Sequence, residues 1–166
     1  MDITNKAYDG IKQGYRFSEW PRAAAARQGA VRSFLPQLPA RPALTLESRV
    51  PRTDARGAFS EHYVNPADPG VRVLVDIAVH PSVAAAHDAL LHILAMVSAP
   101  ILPSAAERGL AVGDVAFTGH GDSLLAVLFV RRNVVVDIRS VGNTPVVVAE
   151  LARALDAQIQ SLPRVD

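Results

Sequence analysis

The stretch Ser123–Val141 reads SLLAVLFV, then RRN, then VVVDIRSV. Two apolar, Val-rich arms around a short polar break predict a β-hairpin, with Asn133 suited to the positive φ of a tight turn. The first arm is apolar on both faces. A strand of that kind is stable only when strands flank it and other elements pack above and below it. The rest of the chain must therefore supply that cover.

Working outward, Leu110–Thr118 predicts a strand before the hairpin, joined to it by the turn GHGD at Gly119–Asp122. GNTP follows the hairpin and predicts a helix, with Thr144 as N-cap and Pro145 at the first helical position. Its apolar stripe is Val148, Leu151, Leu155, Ile159 and Leu162, and Pro163 stops it. The preceding part of the chain carries the same element order. Ala43–Val50 alternates, with Leu44, Leu46 and Val50 on one face and Thr45, Glu47 and Arg49 on the other. Ala58–Val64 is a second strand, and NPADPG at Asn65–Gly70 is a loop. Val71–Val79 places Val71, Val73, Val75, Ile77 and Val79 inward and Arg72, Leu74, Asp76, Ala78 and His80 outward. Ser82 then caps a helix whose buried stripe is Val83, His87, Leu90, Leu91, Leu94 and Val97, with Asp88 and His92 opposite. Pro100 ends it.

The predicted class is α+β. Two strand-strand-strand-helix units form one six-stranded, mostly antiparallel sheet with two helices packed on it, preceded by an N-terminal arm. Residues 1–42 read as that arm, with a short helix in Pro21–Phe34 and a stiff linker marked by Pro36, Pro39 and Pro42. Residues 43–166 read as the domain. The arm holds Tyr8, Tyr15, Phe17 and Trp20, four of the nine aromatics, and reads as an extended segment laid over the domain or offered to a partner.

Composition narrows the function. The 166 residues are 49% hydrophobic and 20% charged, with a formal net charge of +1, which exerts no long-range pull on nucleic acid or anionic membrane. Without cysteine, disulfides, thiolate zinc sites and cysteine nucleophiles are excluded. No apolar run reaches the ~18 residues of a membrane span. The opening MDITNKAYDG lacks a basic segment followed by an apolar core, so no signal peptide is read. The compartment stays open between the cytoplasm and export with the leader removed. Lys6 and Lys12 are the only lysines, an Arg bias that fits a GC-rich bacterial genome.

The element order over Ala43–Leu162 resembles the PsbP-like fold of photosystem accessory proteins and their bacterial relatives. It also looks somewhat like the arrangement of secretion chaperones. The PsbP-like resemblance implies an accessory or binding protein; it transfers no functional residue, because no motif matches residue by residue.

Candidate functional residues fall into three groups. Arg72, Asp76, His80, Asp137 and Arg139, with Thr45, Glu47 and Arg49, are outward on their strands and would form a mixed-sign polar array on one sheet face while the other face receives the helices. Tyr15 and Trp20 in the arm could anchor a partner, and Arg131 and Arg132 at the hairpin tip could grip a carboxylate or phosphate. His62 or His87 could supply the polar group of a pocket between sheet and helices. Asp88 and His92, four apart, could share a metal but have no evident third ligand, and His120 sits in a tight turn. No G-x-S-x-G elbow or phosphate loop occurs. The expected function is a non-catalytic domain binding another protein through the polar face and the arm, with no cofactor. A small enzyme or carrier of an apolar ligand is the alternative, and a secretion-type chaperone is a second one.

Overall fold

The computed structural model describes residues 3–97 and 100–165. Six strands form one open antiparallel sheet: β1 Thr45–Pro51, β2 Phe59–Asn65, β3 Asp68–Val79, β4 Val115–Thr118, β5 Ala126–Arg131 and β6 Val134–Ser140. Their order is β1-β2-β3-β6-β5-β4, so the two units meet where β3 pairs with β6. Four helices accompany them: α1 Ile3–Gly14, α2 Arg22–Gln28, α3 Val83–Met96 and α4 Ala149–Ser161. The doubled strand-strand-strand-helix order is thus the observed α+β architecture.

Cover comes from both sides, as the two-faced apolar arm requires. The helices do not share a face. Leu151, Leu155 and Ile159 of α4 pack with Val127, Phe129, Val136 and Ile138 on one side. Leu90, Leu91 and Leu94 of α3 pack with Leu128, Val130 and Val135 on the other. The division follows the strand period of two: β5 and β6 are apolar toward both layers, so each layer can receive a helix.

The N-terminal segment is helical, not extended. Tyr8, Ile11 and Tyr15 recur at helical spacing, and the segment packs beside α3 with Tyr15, Trp20 and Phe117 in one cluster. The linker then passes the hairpin tip to the α4 side, where Val31 and Phe34 join the larger core. Asn133 holds it there: its Oδ1 accepts from Val31 N at 2.6 Å, and its Nδ2 donates to Val31 O and His80 O. Residues 1–42 therefore contribute to both cores.

Several local readings are corrected. The positive φ at the hairpin turn belongs to Arg132 (φ 58), not to Asn133. Helix α4 begins at Ala149, because the expected first turn is engaged elsewhere. Thr144 N donates to Gly70 O, Val146 N to Ser140 Oγ, and Val148 N to Leu124 O. The 141–144 loop lies so close to the β2–β3 turn that a Cβ on Gly142 would stand 1.9 Å from Gly70 O. Strand β4 starts only at Val115, since Gly113 (φ 67) interrupts the predicted run at a close approach to Val130 O. A bulge between Leu46 and Ser48 flips the rest of β1, so Arg49 faces Glu61 on the α4 side while Glu47 reaches Arg72 on the α3 side.

The sheet edges differ. Beside β4, Ala105 N donates to Ala116 O and Thr118 N to Pro103 O, closing that edge. All of β1 is exposed, and its bulge, its charges and Pro51 are the devices that keep an open edge from templating aggregation.

Candidate functional site

Helix α3 and the N-terminal segment cover the β4–β5–β6 half of their sheet face. Over β1–β2–β3 the same face is polar and partly open. Strand alternation puts Arg72, Leu74, Asp76 and Ala78 of β3 there, beside Ser60, His62 and Val64 of β2 and Asp137 and Arg139 of β6. Four of the expected residues, Arg72, Asp76, Asp137 and Arg139, therefore share a face, and His80 stands at its end.

Their contacts divide the array in two. Arg72 donates to Glu47 across β2, Nη1 to Oε2 at 2.6 Å, and the pair lowers the Glu47 pKa and raises that of Arg72. Both side chains are substantially exposed, so this bridge orders the surface more than it stabilises the fold. The second part is more constrained. Asp76 and Asp137 are direct cross-strand partners, an arrangement of like charges that costs stability unless neutralised. Arg139 spans them, Nη2 to Asp76 Oδ2 at 2.9 Å and Nε to Asp137 Oδ2 at 3.3 Å, while Ser60 Oγ also donates to Asp76.

Asp137 lies at the floor of a cleft of about 270 Å³ between α3 and the β1–β2 turn. Asp76 and His80 share the lining with Arg52 and Asp54 of the turn and His92 of α3. Burial is the largest influence on Asp137 and pushes its pKa up to about 6; Asp76 adds to the rise, and Arg139 and Arg52 oppose it. A quarter of the side chain still reaches water. Burial likewise lowers His80, with Arg52 adding to the effect.

These shifts set a pH dependence. The Asp137 pKa is higher folded than unfolded, so its favourable contribution is complete below the ordinary carboxylate value and is lost as pH rises through about 6. A carboxyl raised to about 6 by burial corresponds to at most about 3 kcal/mol, less for a group with partial water access. Asp137→Asn is therefore expected to be more stable than the parent by about 1–2 kcal/mol at pH 7.5. The difference should shrink toward zero near pH 4. Urea unfolding across that range measures it, and a constant difference would contradict the assignment.

The remaining candidates are placed in structural roles. Tyr15 and Trp20, expected as partner contacts, are 5% and 8% exposed inside the chain's own core. Trp20 Nε1 donates to Tyr15 O at 2.9 Å, and Tyr15 Oη accepts from Leu102 N. Arg131 forks onto Asp156, Nε to Oδ1 at 2.6 Å, and also reaches Asp114. Arg132 is 3% exposed, and its guanidinium donates to four backbone carbonyls. Neither arginine projects from the tip as a free grip.

His87 is fully buried, with Nδ1 2.9 Å from Val83 O, Nε2 without a partner and the Trp20 ring 6.1 Å away. It does not line the cleft above Asp137, and neither does His62. The pocket expected around one of them between sheet and helix is thus a packed core at His87 and an open sheet face at His62. His120 Nε2 meets Pro100 O at 3.1 Å. Among the described residues, no group of three or more His, Asp or Glu side chains is arranged to hold a metal ion, and Asp88–His92 gains no third ligand.

Sequence reasoning missed Arg52 and Asp54, which approach the cleft only because the β1–β2 turn folds toward α3. It also missed Glu61, fully buried on β2, which accepts from Tyr63 Oη and from Arg49. Burial and the carboxylate together push the Tyr63 phenol up. Glu61 falls on the same side as Phe59 and Tyr63 in the alternation, and that was the available signal.

No family model, curated protein or solved structure matches this chain. No helix of the described residues is long and apolar enough to cross a membrane.

Proposed function

We propose that the protein is a non-catalytic binding domain that engages another protein through the β1–β2–β3 half of its α3-side sheet face. The observation carrying this reading is the uneven cover. One half of the face lies under α3 and the N-terminal segment, whereas the other keeps Arg72 and Asp76 around the half-buried Leu74, joined at its border by Asp137 and Arg139 of β6. A flat, mixed-sign surface with an apolar centre suits protein recognition, in which charges set orientation and the centre is desolvated on contact. An accessory role of this kind is also what the PsbP-like resemblance implies. The N-terminal segment lies beside α3 on the same face and makes no contact of its own in this reading.

A photo-crosslinking residue at Leu74 tests the proposal in cells expressing the protein. We expect one discrete adduct from Leu74 and none from Arg153 on α4. Arg72→Glu, which disturbs only the exposed bridge to Glu47, should abolish the adduct without altering the far-UV spectrum. Equal adducts from both positions, or insensitivity to the charge reversal, would refute it.

A further inference from the structure

The β1–β2 turn separates the cleft above Asp137 from a larger groove of about 790 Å³ on its other side. That volume is within the range of small-molecule sites. The linker at 30–34 forms one wall and residues 54–57 of the turn form the other; Val31, Phe34, Phe59 and Val79 line it with apolar surface. Each wall carries one arginine, Arg32 and Arg56. Neither guanidinium makes a hydrogen bond, ion pair or ring contact among the described residues. The acid on the same rim, Asp54, is already held by Arg52, whose Nε donates to Oδ1 at 2.9 Å. The groove thus has two uncommitted cations, a neutralised carboxylate and an apolar floor.

We infer that this groove binds a small organic anion, its acid head between Arg32 and Arg56 and its apolar body on Phe34 and Phe59. The planar guanidinium fork matches the paired oxygens of a carboxylate or phosphate, and each wall of the groove offers one such fork. The apolar floor gives affinity only to an anion with a hydrocarbon body, which sets this site apart from one for inorganic ions. The inference does not depend on the protein-binding face.

Octanoate, octylammonium and inorganic phosphate are the probes, titrated calorimetrically into the whole protein at low salt. One octanoate should bind per chain, and octylammonium should not bind. Arg32→Gln with Arg56→Gln should weaken octanoate at least about tenfold, as loss of charge-assisted contacts implies. Removing two other exposed arginines, Arg27→Gln with Arg153→Gln, should leave binding intact. Because Arg32 and Arg56 are exposed and tie nothing together, the double variant should melt with the parent. The inference is overturned by no saturation up to about 10 mM octanoate. It is equally overturned by octylammonium binding as well as octanoate, or by a double variant that binds normally. Phosphate binding as tightly as octanoate would overturn the role of the apolar floor.

Discussion

Arg132→Ala is expected to destabilise the protein by about 3–4 kcal/mol, a cost of the size usually seen for a large core side chain. Its guanidinium joins three separate parts of the chain. Nε donates to Gly29 O at 2.7 Å and Nη2 to Ala30 O at 3.2 Å, while Nη1 reaches Ile159 O and, at 2.7 Å, Leu162 O. The last two are carbonyls at the C-terminal end of α4, where a cation also meets the negative end of the helix dipole. Truncation removes a donor from all four; Ala30 O keeps Val165 N and Ile159 O keeps Leu162 N, so the desolvation penalty, which exceeds the worth of the bonds themselves, falls on Gly29 O and Leu162 O. Arg132→Lys should recover only part of the loss, because a single ammonium cannot span four carbonyls. Arg132→Gly loses the same bonds but relieves the left-handed backbone, so it should be about 1 kcal/mol less damaging than alanine. Urea midpoints of the three variants give the ordering Lys, Gly, Ala; alanine and lysine behaving alike would contradict it.

Trp20→Ala is expected to cost about 3–4 kcal/mol, with a consequence that is local as well as global. The indole sits against Phe17 (4.9 Å between centroids), Phe117 (5.9 Å) and His87, and ties its own segment through Tyr15 O. Its removal opens the smaller core while the α4 side keeps its own packing. Amide exchange should therefore accelerate first in residues 3–28 and α3, with β6 and α4 still protected. In the parent, the single tryptophan reports docking directly, and its emission should shift red when the segment is released. Uniform loss of protection across the sheet would show that the two cores do not unfold separately.

The legible part of this fold was the part governed by period. Alternation in β2, β3 and β6 and the apolar stripe of α3 were readable because each buries one face, or both, over enough residues to repeat. The layering was half-readable: the Leu-Val-Phe run of β5 demanded cover on two sides, yet the polar outward residues of β3 suggested an uncovered face. Both are true of different halves of the same face, and no single strand reveals where its neighbours stop. The bulge at Glu47 was invisible because an inserted residue looks like a continuing alternation until its partner strand is known. Helix α1 was obscured by Gly10 and Gly14, although Tyr8, Ile11 and Tyr15 already had helical spacing.

The candidate site was legible to a similar extent. Parity alone put Arg72 with Asp76 on β3 and Asp137 with Arg139 on β6, whereas joining the two pairs on one face, with Asp76 beside Asp137, required the β3–β6 register. Arg131 and Arg132 were misread for a definite reason: a charged hairpin tip is solvated in isolation, and nothing local shows that the linker and the end of α4 will close over it.

That closure has a consequence for the order of synthesis. Val31 and Gly29 find their partners at Asn133 and Arg132, and Arg132 is completed only by the carbonyls of Ile159 and Leu162. The 29–31 segment therefore settles only after the hairpin tip, 102 positions further on for Val31 and Asn133, and the end of α4 have both been made. Tyr15 and Trp20 wait less long, since α3 and Phe117 suffice to receive them, so the nascent chain stays open to sticking or cleavage longest at the linker.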